Sequence, residues 1–425
     1  MNKSFNVPRG TSDILPDAVP LWEELESKAR KICKSYGYRE IRTPVYEDVN
    51  LFKRSLGQTS DVVNKQLLEL ASAKEDEGYA LRPEGTASIV RSYFENNFDK
   101  NEAISKFFYI GPMFRGERPQ KGRLRQFHQI GVEVIVPGKS MSHRLDAEVL
   151  ILCMHLLREF GVKEPKLKIN SLGSKEDRNN ISLWLREEFT KHKNELCVEC
   201  QERFERNVFR VLDCKNEKCR KVVNSIVQDL PISEVSKEYF IGVQEALKEA
   251  SIDFEIAPHL VRGLDYYTDT VFEITAGGGL GSQDAVGGGG QYDGLLHELG
   301  GDKRIEYGAI GFALGMERIL LASEAEKPTL GIDVFLITFN CNDTRKEFKI
   351  LNLLRQNGIN ADMNYLQASF KSQMNRANKL NARYVLILGE EEIKNNVIAV
   401  KDMQTGVQET VELKNIIEAI KDKLK

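Results

Sequence analysis

The chain has 425 residues, 41% of them hydrophobic and 29% charged. It is too long for one hydrophobic core and too apolar for a disordered chain, so two or three ordered domains are expected. With 60 basic and 63 acidic side chains, a globally basic nucleic-acid binder is excluded, and any such surface must be a local patch.

The opening residues contain no apolar signal core, and the longest apolar stretch, about 149–157, is too short to span a bilayer. The expectation is a cytoplasmic protein without membrane contact. Seven cysteines, an odd number with no secretory signal, point to reduced thiols.

In chain order, Leu21, Leu25, Ala29 and Ile32 recur at helical spacing and predict an amphipathic helix that stops before Tyr36-Gly37-Tyr38. Residues 81–86, Leu-Arg-Pro-Glu-Gly-Thr, then set a carboxylate and a hydroxyl beside a glycine. Glu84, Gly85 and Thr86 offer acceptors for an ammonium group, or else simply open the helix that follows.

Two runs, Phe107–Arg118 and Arg125–Pro137, read as an antiparallel hairpin. Side chains alternate faces along a strand, so His128, Ile130, Val132 and Val134 share a core face. Arg125, Phe127, Gln129, Gly131 and Glu133 share the other, and Arg115 on the first strand can meet that polar row. Phe127 beside Gly131 reads as room for a planar base. The connecting loop holds Arg118, Gln120, Lys121 and Arg123, with Arg115 and Arg125 at its ends and Glu117 as its acid. Such clusters grip phosphates or a polynucleotide backbone, and a solvated basic loop is the plainer alternative.

A helix is expected over Arg144–Phe160, followed by a charged helical insertion at about 174–251. Within it, Cys197-x2-Cys200 and Cys214-x4-Cys219 have spacings that suit a tetrahedral zinc or four reduced thiols, and no residue is assigned to a metal. Next come Arg262-Gly263-Leu264-Asp265-Tyr266-Tyr267, a strand over Thr268–Thr275, and glycine clusters at 277–279 and 287–290 that mark either close approach to a ligand or turns. Ile310–Leu321 should pass from strand to helix, with Arg318 in the first helical turn. From about Thr329, alternating strands and helices predict a small α/β domain in which Lys371, Arg376, Lys379 and Arg383 lie on or near one helix. Gly138-Lys139-Ser140 mimics the end of a P-loop, but Glu133 stands where the first glycine belongs.

These motifs together resemble the bacterial histidyl-tRNA synthetases, a family of class II aminoacyl-tRNA synthetases, over essentially the whole chain. Tyr38–Pro44 is similar to class II motif 1, Phe114-Arg115 through Glu133 to motif 2, and Gly311–Arg318 to motif 3. Arg262–Tyr267 and Gly288–Gly294 resemble the two histidine-specific signatures, although Gln291 stands where the family typically carries arginine.

The resemblance implies an α+β catalytic domain at 1–325 with a six-stranded antiparallel sheet and flanking helices. It also implies the helical insertion, an α/β anticodon-binding domain at 329–425, and a homodimer joined through motif 1. It implies that L-histidine is activated with ATP and Mg²⁺ and passed to the 3′ end of tRNA(His). Arg115 and Arg262 become the catalytic cations at the α-phosphate and also bind histidine, Arg115 gripping its carboxylate as well as ATP. Glu84, Gly85, Thr86 and Gln129 hold the amino group, with Glu133, Tyr266 and Tyr267 reading the imidazole. Phe127 stacks on adenine, Arg318 and Arg123 hold ATP, and Arg118 and Gln120 meet tRNA. A histidine-binding paralogue that regulates ATP phosphoribosyltransferase is the main rival, and a prolyl or threonyl synthetase the second. The Arg262–Tyr267 stretch argues against the second.

Overall fold

A computed structural model describes residues 5–57, 62–71, 78–138, 141–227, 230–264, 266–277, 280, 284–324, 331–339 and 344–425. Lys139 and Ser140 of the P-loop mimic, Asp265, and Gly278 and Gly279 of the first glycine cluster lie outside them. The chain forms two compact units, one of residues 1–15 and 21–326, the other of 16–20 and 327–425.

The first unit runs α1 (Val19–Ser35), β1 (Arg39–Glu40), β2 (Tyr46–Asp48), α2 (Val49–Ser55), β3 (Leu68–Leu70), β4 (Tyr79–Leu81), α3 (Thr86–Glu95) and α4 (Phe98–Asn101). There follow β5 (Ser105–Phe114), β6 (Gln126–Pro137), α5 (His143–Glu159) and β7 (Lys166–Ser171). Then come α6 (Lys175–Lys191), α7 (Val198–Arg206), α8 (Phe209–Leu212), α9 (Glu217–Ile226) and α10 (Glu234–Glu249). The unit ends with β8 (Phe254–Ile256), β9 (Thr268–Thr275), β10 (Ala285–Gln291), α11 (Asp293–Glu298), β11 (Tyr307–Gly315) and α12 (Met316–Ala322).

Its main sheet has the order β1-β5-β6-β11-β10-β9-β7-β8. The six inner strands are antiparallel, and the short edges β1 and β8 pair in parallel, so the sheet exceeds the expected six strands by one at each side. Of the residues expected on the core face of β6, Ile130, Val132 and Val134 are fully buried in one apolar cluster with α1 and α5, while His128 is only partly buried and pairs with Glu317. The glycine cluster at 287–290 is not a turn but lies within β10, between β9 and β11. Of the expected insertion, the segment from α6 to α9 has an apolar core of its own, built on Leu185, Phe189, Val211 and Val223. Val243 and Leu247 of α10 instead join the main core, since α10 packs on α5.

The second unit holds β12 (Val334–Thr338), α13 (Thr344–Gln356), β13 (Ala361–Met363), α14 (Phe370–Lys379), β14 (Tyr384–Leu388), α15 (Glu390–Asn395), β15 (Val397–Asp402), β16 (Gln408–Glu412) and α16 (Ile416–Leu424). Its sheet order is β13-β12-β14-β15-β16, parallel across the first three strands and antiparallel beyond. Leu336 and Phe335 point into separate apolar clusters on its two faces, as expected for a sheet covered on both sides. No helix among the described residues is long and apolar enough to cross a membrane.

Candidate active site

The hairpin β5–β6 sets the floor of the site through its register. Tyr109 faces Gly131, Gly111 faces Gln129, and Met113 faces Phe127. A Cβ on Gly131 or on Gly85 would fall 2.3 or 2.4 Å from the Tyr109 ring, so both glycines clear space for that phenol. Gly131 therefore houses a tyrosine, not a nucleotide base as the sequence suggested. The signal was present, because Tyr109 shares the parity of Met113 and Arg115.

A cleft of about 410 Å³ opens above this floor, lined among others by Glu84, Thr86, Arg115, Arg123, Phe127, Gln129, Arg262, Tyr266, Tyr267 and Arg318. Ten of the expected site residues, from five separate stretches of the chain, thus meet in one place. Gly85, Glu133, Arg118 and Gln120 do not line it.

The departures have physical reasons. Gly85 lies under Tyr109. Glu133 is 1% exposed, covered by Thr86 and Tyr292, and accepts from Thr86 Oγ1 at 2.7 Å and from the Tyr292 hydroxyl at 2.6 Å. Burial pushes its carboxyl up to about 8 against the downward pull of those two hydrogen bonds, with Glu84 adding to the rise. Arg118 and Gln120 are exposed in the loop, where Gln120 and Arg123 exchange two backbone hydrogen bonds of 2.9 Å that make the tip a tight turn.

Both carboxylate oxygens of Glu84 accept from backbone amides at the start of α3, Thr86 at 2.8 Å and Ala87 at 2.9 Å. The helix-opening reading of this motif is therefore realised at the wall of the cleft itself. Arg82 fastens the same turn from below, donating to the carbonyls of Pro112 and Thr43.

The cations are held but not consumed. Arg115 donates to the Pro83 carbonyl at 2.9 Å and lies over the Phe127 ring at 5.2 Å, and both side chains line the cleft. Arg262 pairs with Glu273 at 2.8 Å, and its guanidinium occupies the space that a Cβ at Gly288 would take. Arg318 donates from Nε to the Ala285 carbonyl at 2.5 Å. Arg262 Nε and Gln129 Oε1 are buried with no hydrogen-bond partner among the described residues. A donor and an acceptor left unmet in one cleft represent binding capacity held for a ligand with groups of both kinds.

Sequence reading missed Tyr109, Gln66, Arg210 and Glu317 in this site. Glu317 accepts from the His128 backbone amide and ring, tying α12 to β6. Only the folded chain brings Gln66 and Arg210 to the cleft, and nothing local marked them.

A model of the histidyl-tRNA synthetase family matches residues 10–174 and 199–319, and one of an anticodon binding domain matches 333–423. The chain belongs to the histidyl-tRNA synthetase family. It is 44% identical over 419 residues to the histidine–tRNA ligase of Desulforamulus reducens, covering 97% of this chain and 98% of that one. With the ligase of Bacillus licheniformis it shares 43% over 426 residues, 98% of each chain. The crystal structure of apo S. aureus histidyl-tRNA synthetase superposes with a TM-score of 0.80 at 36% identity, over 98% of this chain and all of that one. The main sheet with its flanking helices is accordingly a class II synthetase fold, followed by a C-terminal anticodon-binding domain.

Within this family pattern, the departure at Gln291 lies outside the cleft. Gln291 is 2% exposed and donates from Nε2 to Asp146 of α5 at 2.7 Å and to the Tyr239 hydroxyl of α10 at 2.7 Å. The group that meets the Asp146 carboxylate is thus a neutral amide. Burial pushes Asp146 up to about 8, and the hydrogen bond from Gln291 opposes the rise only in part.

Glu133 and Asp146 both hold protons more tightly in the folded chain than in the unfolded one. Their contribution to stability is complete below the unfolded carboxyl values and is lost as pH rises from there to about 8. Denaturant titrations should therefore show unfolding free energy falling between pH 5 and pH 8. Asp146→Asn should flatten that slope, and a slope unchanged by the substitution would remove Asp146 as its source.

Proposed function

We infer that this chain is a histidine–tRNA ligase that activates L-histidine with ATP to histidyl-adenylate and pyrophosphate, then transfers histidine to the 3′-terminal adenosine of tRNA(His). The observation that carries the reading is the convergence of Arg115, Arg262 and Arg318 with Gln129, Tyr266 and Tyr267 on one cleft. Three cations suit phosphates, while the amide and the phenols suit an amino acid.

The histidine carboxylate attacks the α-phosphorus in line, forming the acyl-phosphate bond and expelling pyrophosphate. A ribose hydroxyl of the terminal adenosine next attacks the carbonyl and releases AMP. No protein nucleophile is needed, so the chain's task is positioning and positive charge. Arg115 and Arg262 serve the α-phosphate as the catalytic residues, and Arg123 and Arg318 hold the outer phosphates and the nucleotide. Adenine stacks on the Phe127 ring. Glu117 and Glu273, carboxylates at the cleft wall, are hard oxygen donors that fit Mg²⁺ carried in with ATP, which neutralises the leaving phosphates.

The ammonium group of histidine meets Gln129 Oε1, the Thr86 hydroxyl and Glu84 beside Gly85. Tyr266 and Tyr267 face the imidazole, and Glu133 acts from behind by holding Thr86 and Tyr292 in place. Arg118 and Gln120, exposed on the motif 2 loop, meet the acceptor end of tRNA. The C-terminal segment 329–425 reads the anticodon arm, with Lys371, Arg376, Lys379 and Arg383 as candidate contacts. A homodimer through the Tyr38–Pro44 region and a cytoplasmic location complete the assignment.

ATP–pyrophosphate exchange measured with each amino acid in turn tests this. Histidine alone should drive exchange. Histidine binding without exchange would turn the assignment to the regulatory paralogue, which the joint presence of the three arginines and the matched anticodon domain already disfavours. Gln129→Leu should raise the KM for histidine about ten- to a hundred-fold, the worth of one hydrogen bond to a charged group. An unchanged KM would take Gln129 out of the ammonium site.

A further inference from the structure

The segment from α6 to α9 contains a side-chain cluster that adenylate chemistry does not use. Cys197 caps the start of α7 and Cys200 lies in its first turn. Cys214 follows α8, and Cys219 lies in the first turn of α9. The four sulfur atoms lie within 4.8 Å of one another, the one such cluster among the described residues.

Four thiolates held by a single ion at about 2.3 Å stand about 3.8 Å apart on a tetrahedron. Cys197 Sγ and Cys214 Sγ are 3.9 Å apart, a match to that spacing and far from a disulfide bond, and all four cysteines are free. Two backbone amides aim at the cluster, Cys197 N–H at Cys219 Sγ (3.2 Å) and Asn216 N–H at Cys214 Sγ (3.4 Å). Donors of this kind favour sulfur carrying negative charge.

We propose that Cys197, Cys200, Cys214 and Cys219 bind one zinc ion as a closed structural tetrathiolate. The chemistry selects the metal. Tetrahedral sulfur sites take zinc or iron–sulfur centres, and a cluster of several irons would spread its cysteines more widely than this. All four positions are protein thiolates, so none is left for water and the site is structural rather than catalytic.

Electrostatics agree. Zinc with four thiolates carries a net charge of −2, and residues 193–221 contain eight basic against six acidic side chains. The starts of α7 and α9 both face the sulfur atoms, placing their partial positive charge beside the thiolates. Cys200 and Cys219 are fully buried, while partly exposed Cys197 leaves a route for the ion to enter.

The site also has a consequence for the cleft. α8 lies between the two ligand pairs and carries Arg210, whose guanidinium donates to the Gly263 carbonyl and lines the cleft beside Arg262. Zinc fastens both flanks of α8 and so holds Arg210 against the Arg262–Gly263 turn.

The test is metal analysis of the full-length chain purified without chelators. About one zinc per chain should survive gel filtration, as expected for a tight tetrathiolate site. Cys200→Ser and Cys219→Ser should each reduce zinc to background, while Cys153→Ser, elsewhere in the core, should keep it. Cobalt exchanged for zinc in the wild-type chain should give thiolate-to-cobalt charge transfer and the strong visible bands of a tetrahedral centre, a readout that does not depend on the variants folding. Wild-type chain that holds no zinc and shows no such bands with cobalt would overturn the proposal, as would stoichiometric iron in its place or zinc retained by both variants.

Discussion

Arg262→Ala should lower kcat for histidine-dependent pyrophosphate exchange by about a hundred- to a thousand-fold, the usual cost of removing one preorganised donor from a developing charge. Arg262 is held by Glu273 on one side and keeps a buried Nε that has no hydrogen-bond partner among the described residues. Its orientation is therefore set before any ligand arrives, and donors fixed in advance need no reorganisation as charge develops. KM for ATP should change less than kcat, because the interaction strengthens toward the transition state. Arg262→Lys should recover only part of the loss, since an ammonium cannot keep the Glu273 pair and offer a second donor in the same plane. Exchange within threefold of wild type in Arg262→Ala would remove Arg262 from the catalytic step.

Gly131→Ala is expected to damage stability and activity together. The new methyl would fall 2.3 Å from Tyr109 Cζ and 2.4 Å from its hydroxyl. The strand cannot yield easily, because Gly131 is paired with Tyr109 of β5 on one side and Ala313 of β11 on the other. Tyr109 must leave its slot, at the typical overpacking cost of about 1–3 kcal/mol. A ring expelled from the floor moves into the space assigned to histidine, so exchange should be lost even where the chain stays folded. Combining Gly131→Ala with Tyr109→Ala should be less destabilising than the sum of the two, as a thermal-unfolding cycle would show. Strict additivity would mean that the methyl and the ring do not compete for the same space.

Gln291 shows how a sequence departure is interpreted only in place. It stands in a stretch that resembles a histidine-specific signature, at the position where the family typically carries arginine. The structure instead puts its amide between α5 and α10, where it bonds Asp146 and Tyr239 behind the sheet. Sequence position identifies a motif, but the register of β10 decides which side of the sheet each residue faces.

The sequence by itself determined the strands and helices with strong periodicity, the polar row of β6, the arginines of motifs 2 and 3, and the order of the two units. Those features are local: strand alternation, helical spacing and the chemistry of short motifs are written in neighbouring residues. It did not determine that Glu133 lies beneath Thr86 and Tyr292, that Tyr109 fills the gap between two glycines, or that Arg210 reaches the cleft from the insertion. Nor did cysteine spacing show that the four sulfur atoms of α7, α9 and the loop after α8 meet in one place. These outcomes depend on which strands pair and in what register, and on contacts between residues dozens to hundreds of positions apart. Packing alone settles such contacts, because each side chain takes the space that its neighbours leave.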